Sequence, residues 1–118
     1  MRLEGSFYNV VSSTPVEDGC VFELVLTEDH PIYAGHFPGQ PVVPGMFTLT
    51  IVRECLAAFC KKEVMFSSIK ECKFLTALIP DGKLTLVLRL SVSGEDVSCA
   101  IEKDDAVVFK LKAKYSSK

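Results

Sequence analysis

One segment governs what this chain can become. "MFTLTIVRECLAAFCKK" (46–62) is the only stretch long enough, and free enough of glycine and proline, to make a substantial helix. Its few polar residues are Thr48, Thr50, Arg53 and Glu54, and a helix apolar nearly all round has to be buried. Thr48 to Val52 is crowded with β-branched residues, which helices hold poorly, so burial rather than propensity must keep it helical. Lys61 and Lys62 stand at its C-terminal end, where the helix dipole favours positive charge.

Almost everything else reads as strand. "SFYNVVSS" (6–13) is aromatic and β-branched, the "EDG" turn (17–19) follows, and "CVFELVLTE" (20–28) alternates apolar and polar, which predicts a hairpin. After the helix come "VMFSSIKECKFLTALI" (64–79), the turn "PDGK" (80–83), "LTLVLRLSVS" (84–93), "GED" (94–96), "VSCAIEK" (97–103), "DDA" (104–106) and "VVFKLKAKY" (107–115). Four strands in succession predict an antiparallel meander. One apolar helix and one long antiparallel sheet have a simple joint solution, in which the sheet curls around the helix. The expectation is a two-layer α+β fold in a single domain, 1–118, a usual length for one core.

Composition closes off several functions. A net charge of −2 argues against non-specific nucleic-acid binding. No apolar run approaches the roughly 20 residues of a membrane-spanning helix. The start, "MRLEGSFYNV", has no apolar stretch of the signal-peptide kind, so the expected location is cytoplasmic. Five cysteines with wide spacings and no CxxC read as reduced thiols, mostly buried.

Between the second strand and the helix lies "HPIYAGHFPGQPVVPG" (30–45), with four prolines, three glycines and both histidines of the chain. Proline fixes its own φ and restricts the residue before it, so this loop is stiff. It is either a rigid crossover that launches the helix or a platform for a site. Two histidines six residues apart, without a cysteine or carboxylate set, do not make a zinc spacing, and no metal or cofactor is implied. Acid–base chemistry fits better. An imidazole exchanges protons near neutral pH, and the amides around Gly45 and Met46, unpaired at a helix start, can hold a developing oxyanion.

"GHFPGQPVVPG" (35–45) resembles the signature of the 3-hydroxyacyl-[acyl carrier protein] dehydratases, G-H-F-P-G-x-P-x-x-P-G. The resemblance covers residues 30–60 closely and 64–115 loosely, and the family's usual N-terminal "HRYPFLLVD"-like segment is missing. It implies a hot-dog fold, a curved antiparallel sheet wrapped around one long helix. It also implies a dehydratase in fatty acid or related polyene and lipid synthesis. His36 would remove the α-proton of a 3-hydroxyacyl thioester, and the backbone near Gly45 would hold the thioester carbonyl. Phe37, Pro38, Pro44, Met46, Phe47 and Thr50 would line the substrate, in a tunnel shared with a second subunit.

The family places Glu or Asp fourteen residues after the histidine, and here that position is Thr50. A threonine hydroxyl is no general acid near neutral pH. Glu54 is the nearest carboxylate, one turn (about 6 Å) further along the helix. Three readings stay open. In the first, Glu54 or water replaces the acid; in the second, the chain is half of a heterodimer whose partner supplies it; in the third, the chemistry is lost, leaving a subunit that binds acyl thioesters or carrier protein. A hot-dog thioesterase is a further alternative. The purely structural alternatives are an ordinary ion pair for Glu54 and a bond back to the i−4 carbonyl for Thr50. The implied partners are an acyl carrier protein or coenzyme A thioester and another hot-dog chain, in a homodimer, heterodimer or higher oligomer. Carrier proteins are acidic. Lys110, Lys112 and Lys114, which alternate on one strand face, are docking candidates with Lys61, Lys62, Lys70 and Lys73, or else a solvated face that protects an edge.

Overall fold

A computed structural model describes residues 2–27, 43–79 and 85–118. Its elements are β1 (Tyr8–Val16), β2 (Gly19–Leu26), α1 (Gly45–Cys60), β3 (Val64–Phe74), β4 (Thr85–Ser93), β5 (Asp96–Lys103) and β6 (Ala106–Ser117). The strands form one curved six-stranded antiparallel sheet in the order β1-β2-β4-β5-β6-β3, with α1 packed against it, as a hot-dog fold requires.

Period-two alternation decides which face is which. Cys20, Phe22, Leu24 and Leu26 on β2, Leu86, Leu88 and Leu90 on β4, Val97, Cys99 and Ile101 on β5 and Phe109, Leu111 and Ala113 on β6 are all buried. They form one core with Ile51, Val52, Cys55 and Leu56 of α1. Most alternate residues face outward, although Val108 on β6 is buried as well. The β5–β6 turn is carried by Asp104 and Asp105, at φ 54° and 64°, the left-handed pair that a two-residue hairpin needs. Gly19 enters β2 where a Cβ would lie 1.8 Å from the Leu90 carbonyl oxygen, so no other residue fits without moving the backbone.

The hairpin β1–β2 and the run β4–β5–β6 agree with the sequence pattern, while the meander through β3 does not. β3 pairs with β6 at the far edge, and β4 lies between β2 and β5. Ten residues (75–84) separate β3 from β4, too many for a tight turn to dictate pairing. With both sides of β4 occupied, β6 offers the open ladder. β3 also stops at Phe74 rather than running to residue 79, and the predicted turn at 80–83 lies outside the described residues. On the opposite edge, β1 carries a bulge between Val10 and Ser12 and reaches through Pro15, which an edge strand tolerates.

The helix runs two residues shorter at its end than the pattern suggests. Lys61 turns left-handed (φ 59°), and its N–H and that of Lys62 both reach the Ala57 carbonyl, which closes the helix. Nor is the helix buried all round. Thr48, Ile51, Val52, Glu54, Cys55 and Leu56 are covered, whereas Met46 is 69% exposed.

Candidate functional site

The loop that carries His36, Phe37 and Pro38 lies outside the described residues, as does His30. The helix start that it feeds is described. Pro44 is the extended N-cap (φ −61°, ψ 143°) and offers no side-chain acceptor. Its carbonyl takes the N–H groups of Phe47 (2.9 Å) and Thr48 (3.2 Å). The amides of Gly45 and Met46 come before any intrahelical acceptor and lead the helix with the positive end of its dipole. This is the donor arrangement that a developing oxyanion uses.

Aromatic rings wall this entrance, two of them on segments that the sequence pattern did not connect to it. Phe7 stands edge-on to Phe47 at 4.8 Å. Phe74, at the end of β3, lies against Gly45, where an added Cβ would come within 3.1 Å of its ring, and packs at 5.0 Å on Phe109. Gly45 is therefore a close-approach position between helix and strand. Neither ring had a readable signal: the sequence pattern ran the strand of Phe74 on to residue 79, and the contact of Phe7 depends on how the N-terminal segment crosses the helix.

Thr50 is half-buried, and its hydroxyl donates to the Met46 carbonyl at 3.0 Å, the usual local bond of a mid-helix threonine. No carboxylate precedes Glu54 on the helix. Glu54 is buried and takes three hydrogen bonds. The Leu3 N–H donates to Oε2 at 2.7 Å, and the Glu4 N–H (3.0 Å) and the Tyr8 hydroxyl (2.9 Å) donate to Oε1. The side chain thereby fastens the N-terminal segment to the middle of α1. Burial first, then the neighbouring Cys55 and the Glu54 carboxylate it serves, push the Tyr8 hydroxyl above its ordinary value, so it stays a proton donor. Burial first, then Glu4 and Glu54, push the Cys55 thiol up to about 12. Burial likewise raises Cys99, and all five cysteines are free thiols, as their spacing suggested.

The fold has known counterparts. The profile of the ApeI-like family, described as ApeI dehydratase, matches residues 12–112, most of the chain. The chain belongs to the ApeI-like dehydratase family. Relatives include the 3-hydroxyacyl-[acyl-carrier-protein] dehydratase FabZ of Alkaliphilus metalliredigens, 29% identical over 73 residues (56% of this chain, 50% of that one). The FabZ of Herpetosiphon aurantiacus is 31% identical over 84 residues (64% and 60%). The chain spans about half the length of the first of these and little more of the second. Among solved structures, the dehydratase heterocomplex ApeI:P from Xenorhabdus doucetiae superposes with a TM-score of 0.78 at 24% identity, covering 90% of this chain and 95% of that one. An uncharacterized protein from Erwinia carotovora superposes with a TM-score of 0.65 at 25% identity, covering 92% of each. This ApeI-like chain thus shares the family's architecture. Among its described residues no helix is long and apolar enough to cross a membrane.

Proposed function

We propose that this ApeI-like chain works in the dehydration of 3-hydroxyacyl thioesters as one subunit of a two-chain hot-dog assembly. His36 removes the α-proton, and that C–H pair becomes the Cα–Cβ double bond as the β-carbon–oxygen bond breaks. The amides at Gly45 and Met46 hold the thioester oxygen as charge builds on it. An acid on the partner chain protonates the departing hydroxyl, which leaves as water. Phe37, Pro38, Pro44, Met46, Phe47 and Thr50 line the acyl group.

The observation that carries this reading is the full employment of Glu54, the carboxylate nearest Thr50 on the helix, by three donors of the chain's own N-terminal segment. A proton donor drawn from a second chain fits that arrangement better than one drawn from Glu54. Two observations support a second chain: β3 leaves one edge open, and Met65, Ile69, Phe74 and Leu75 are exposed along or beside it. The Xenorhabdus doucetiae relative in fold is itself a dehydratase heterocomplex.

The test is turnover of a 3-hydroxyacyl-pantetheine thioester by the chain alone and mixed with a second hot-dog chain that carries a helix carboxylate. Expected results are little turnover alone and turnover in the mixture. His36→Ala should lower the mixture's rate by about 10²–10⁴-fold, and Thr50→Glu should restore activity to the chain alone. Wild-type activity alone that disappears in Glu54→Gln would return the acid role to Glu54. Release of free pantetheine thiol in place of the enoyl product would replace the reading by a thioesterase.

A further inference from the structure

The N-terminal segment is tied to α1 at two points. In the middle of the helix, Glu54 takes the Leu3 and Glu4 N–H groups and the Tyr8 hydroxyl. Near the start, the ring of Phe7 stands edge-on to Phe47 at 4.8 Å, with 77° between the ring planes. Phe47 and Glu54 are seven residues apart, two helical turns or about 10 Å, and so share one face of α1. Two adjacent residues, Phe7 and Tyr8, thus reach the same face of the helix at both points.

The segment itself is folded tightly. The Leu3 carbonyl accepts the N–H groups of Ser6 (3.2 Å) and Phe7 (2.8 Å), and the Gly5 N–H donates to the Tyr8 carbonyl at 2.7 Å. Gly5 sits at φ 95°, a conformation that glycine adopts without strain. Leu3, Phe7 and Tyr8 are buried. The Phe7 carbonyl also accepts the Thr27 N–H at 2.9 Å, just beyond the end of β2. Phe7 therefore joins the end of β2, through its main chain, to the start of α1, through its ring.

The start of α1 needs such a support. Pro44 caps it without a side-chain bond, and Met46 is exposed. Amides that hold an oxyanion lower a barrier only if they are already aimed when the charge appears. The Val43 N–H donates to the Leu78 carbonyl at 2.8 Å, and Phe74 lies against Gly45. Those contacts fix the chain as it enters the helix, and Phe7 meets the third helical residue. A buried carboxylate must meet its donors, so residues 3–8 cannot slide along α1 without stranding them.

Resting on the dehydratase reading above, we propose that Phe7 is a positioning residue for the acyl-thioester site. Residues 3–8, locked to α1 through Glu54, hold Phe47 and with it the first turn of the helix. The Gly45 and Met46 amides thereby keep their aim at the thioester oxygen. Phe7 is fully buried and acts through Phe47, and Glu54 is the anchor of this brace.

The experiment mixes the full chain with a second hot-dog chain that carries a helix carboxylate, and compares wild type with Phe7→Ala and Phe7→Leu. Its readouts are kcat and KM for a 3-hydroxyacyl-pantetheine thioester and hydrogen exchange along α1. A third is the infrared carbonyl stretch of a bound enoyl-pantetheine thioester, isotope-labelled at its carbonyl carbon. Phe7→Ala is expected to lower kcat about 10- to 100-fold with KM within about twofold. The carbonyl stretch, lowered on wild type by the donating amides, is expected to move at least about halfway back to its free value. Exchange at Phe47 and Thr48 should rise more than at Val52 and Leu56. Phe7→Leu keeps a buried apolar side chain and should lose about threefold in kcat, and it carries the test if Phe7→Ala does not fold. Activity that only follows the folded fraction, with the carbonyl stretch unmoved, would overturn the proposal, as would a rise in KM with kcat unchanged. If wild type turns over thioester and neither variant alters kcat or the stretch, the positioning role alone falls. If stretch and exchange follow Phe7 while no assembly dehydrates thioester, the dehydratase function falls and the positioning role stands. A carbonyl stretch that wild type leaves at its free value overturns both.

Discussion

The start and the middle of α1 are built to different ends. The middle is saturated by its own chain. Ile51, Val52, Cys55 and Leu56 are buried in the core, and even the one carboxylate there has each oxygen engaged. The start is more open. Thr48 is buried, but the N-cap has no side-chain acceptor, Met46 is 69% exposed, and among the described residues Thr50 bonds only with its own helix. One continuous helix therefore has an anchored middle that holds the fold and a less covered start. A helix terminus with leading amides and uncovered apolar surface is where a ligand or a second chain has something to gain.

The comparison breaks most readily at its largest contrast. Leu56→Ala, at a fully buried position, is expected to cost about 3–4 kcal/mol in urea unfolding, while Met46→Ala is expected to cost under about 0.5 kcal/mol. Similar costs at both positions would mean that the start of the helix is as firmly packed as its middle.

Glu54→Ala should come next, at about 3 kcal/mol, because it strands two backbone N–H groups and the Tyr8 hydroxyl. Hydrogen exchange at the Leu3 and Glu4 amides should then accelerate well before global unfolding does. Glu54→Gln should cost less, about 1–2 kcal/mol, since its amide keeps one oxygen as acceptor. Exchange at Leu3 and Glu4 that ignores both changes would remove the anchoring role.

Tyr8→Phe should cost about 1 kcal/mol, as it deletes one donor and keeps the buried ring. A last effect is confined to alkaline solution. Cys55 is held up to about 12 in the folded chain against an ordinary thiol value of 9.0. The unfolded thiol thus ionises first, and stability should decline as pH rises from 9 towards 12, measured as the urea midpoint. That decline should shrink in Cys55→Ala relative to the variant's own midpoint at pH 7, and an unaltered decline would assign it to other groups.

Much of the fold was readable because it rests on short periods. Alternation in residues 20–26, 86–90 and 97–101 marks inward and outward faces, and a glycine-free apolar run marks the helix. The partner of β3 was not readable. It depends on which ladder remains free after β4 has been enclosed by β2 and β5, a question of the whole sheet. At the helix start, the Pro44–Gly45 junction was legible from proline and glycine spacing, whereas the rings of Phe7 and Phe74 reach it from distant segments.

Glu54 shows the boundary most clearly. The sequence by itself determined that a carboxylate stands on a buried helix one turn beyond Thr50, that the signature loop precedes it, and that three lysines alternate on the last strand. Only the tertiary structure decided what the carboxylate does, because its donors lie 46 to 51 residues away. The same holds for the lysines: among the described residues Lys114 is ion-paired and Lys110 and Lys112 are not, because Asp96 on the neighbouring strand reaches the first of the three alone. Side-chain direction follows from a period of two or of 3.6, which a short stretch of sequence contains. The partner a charge meets there is set by long-range packing, which no short stretch contains.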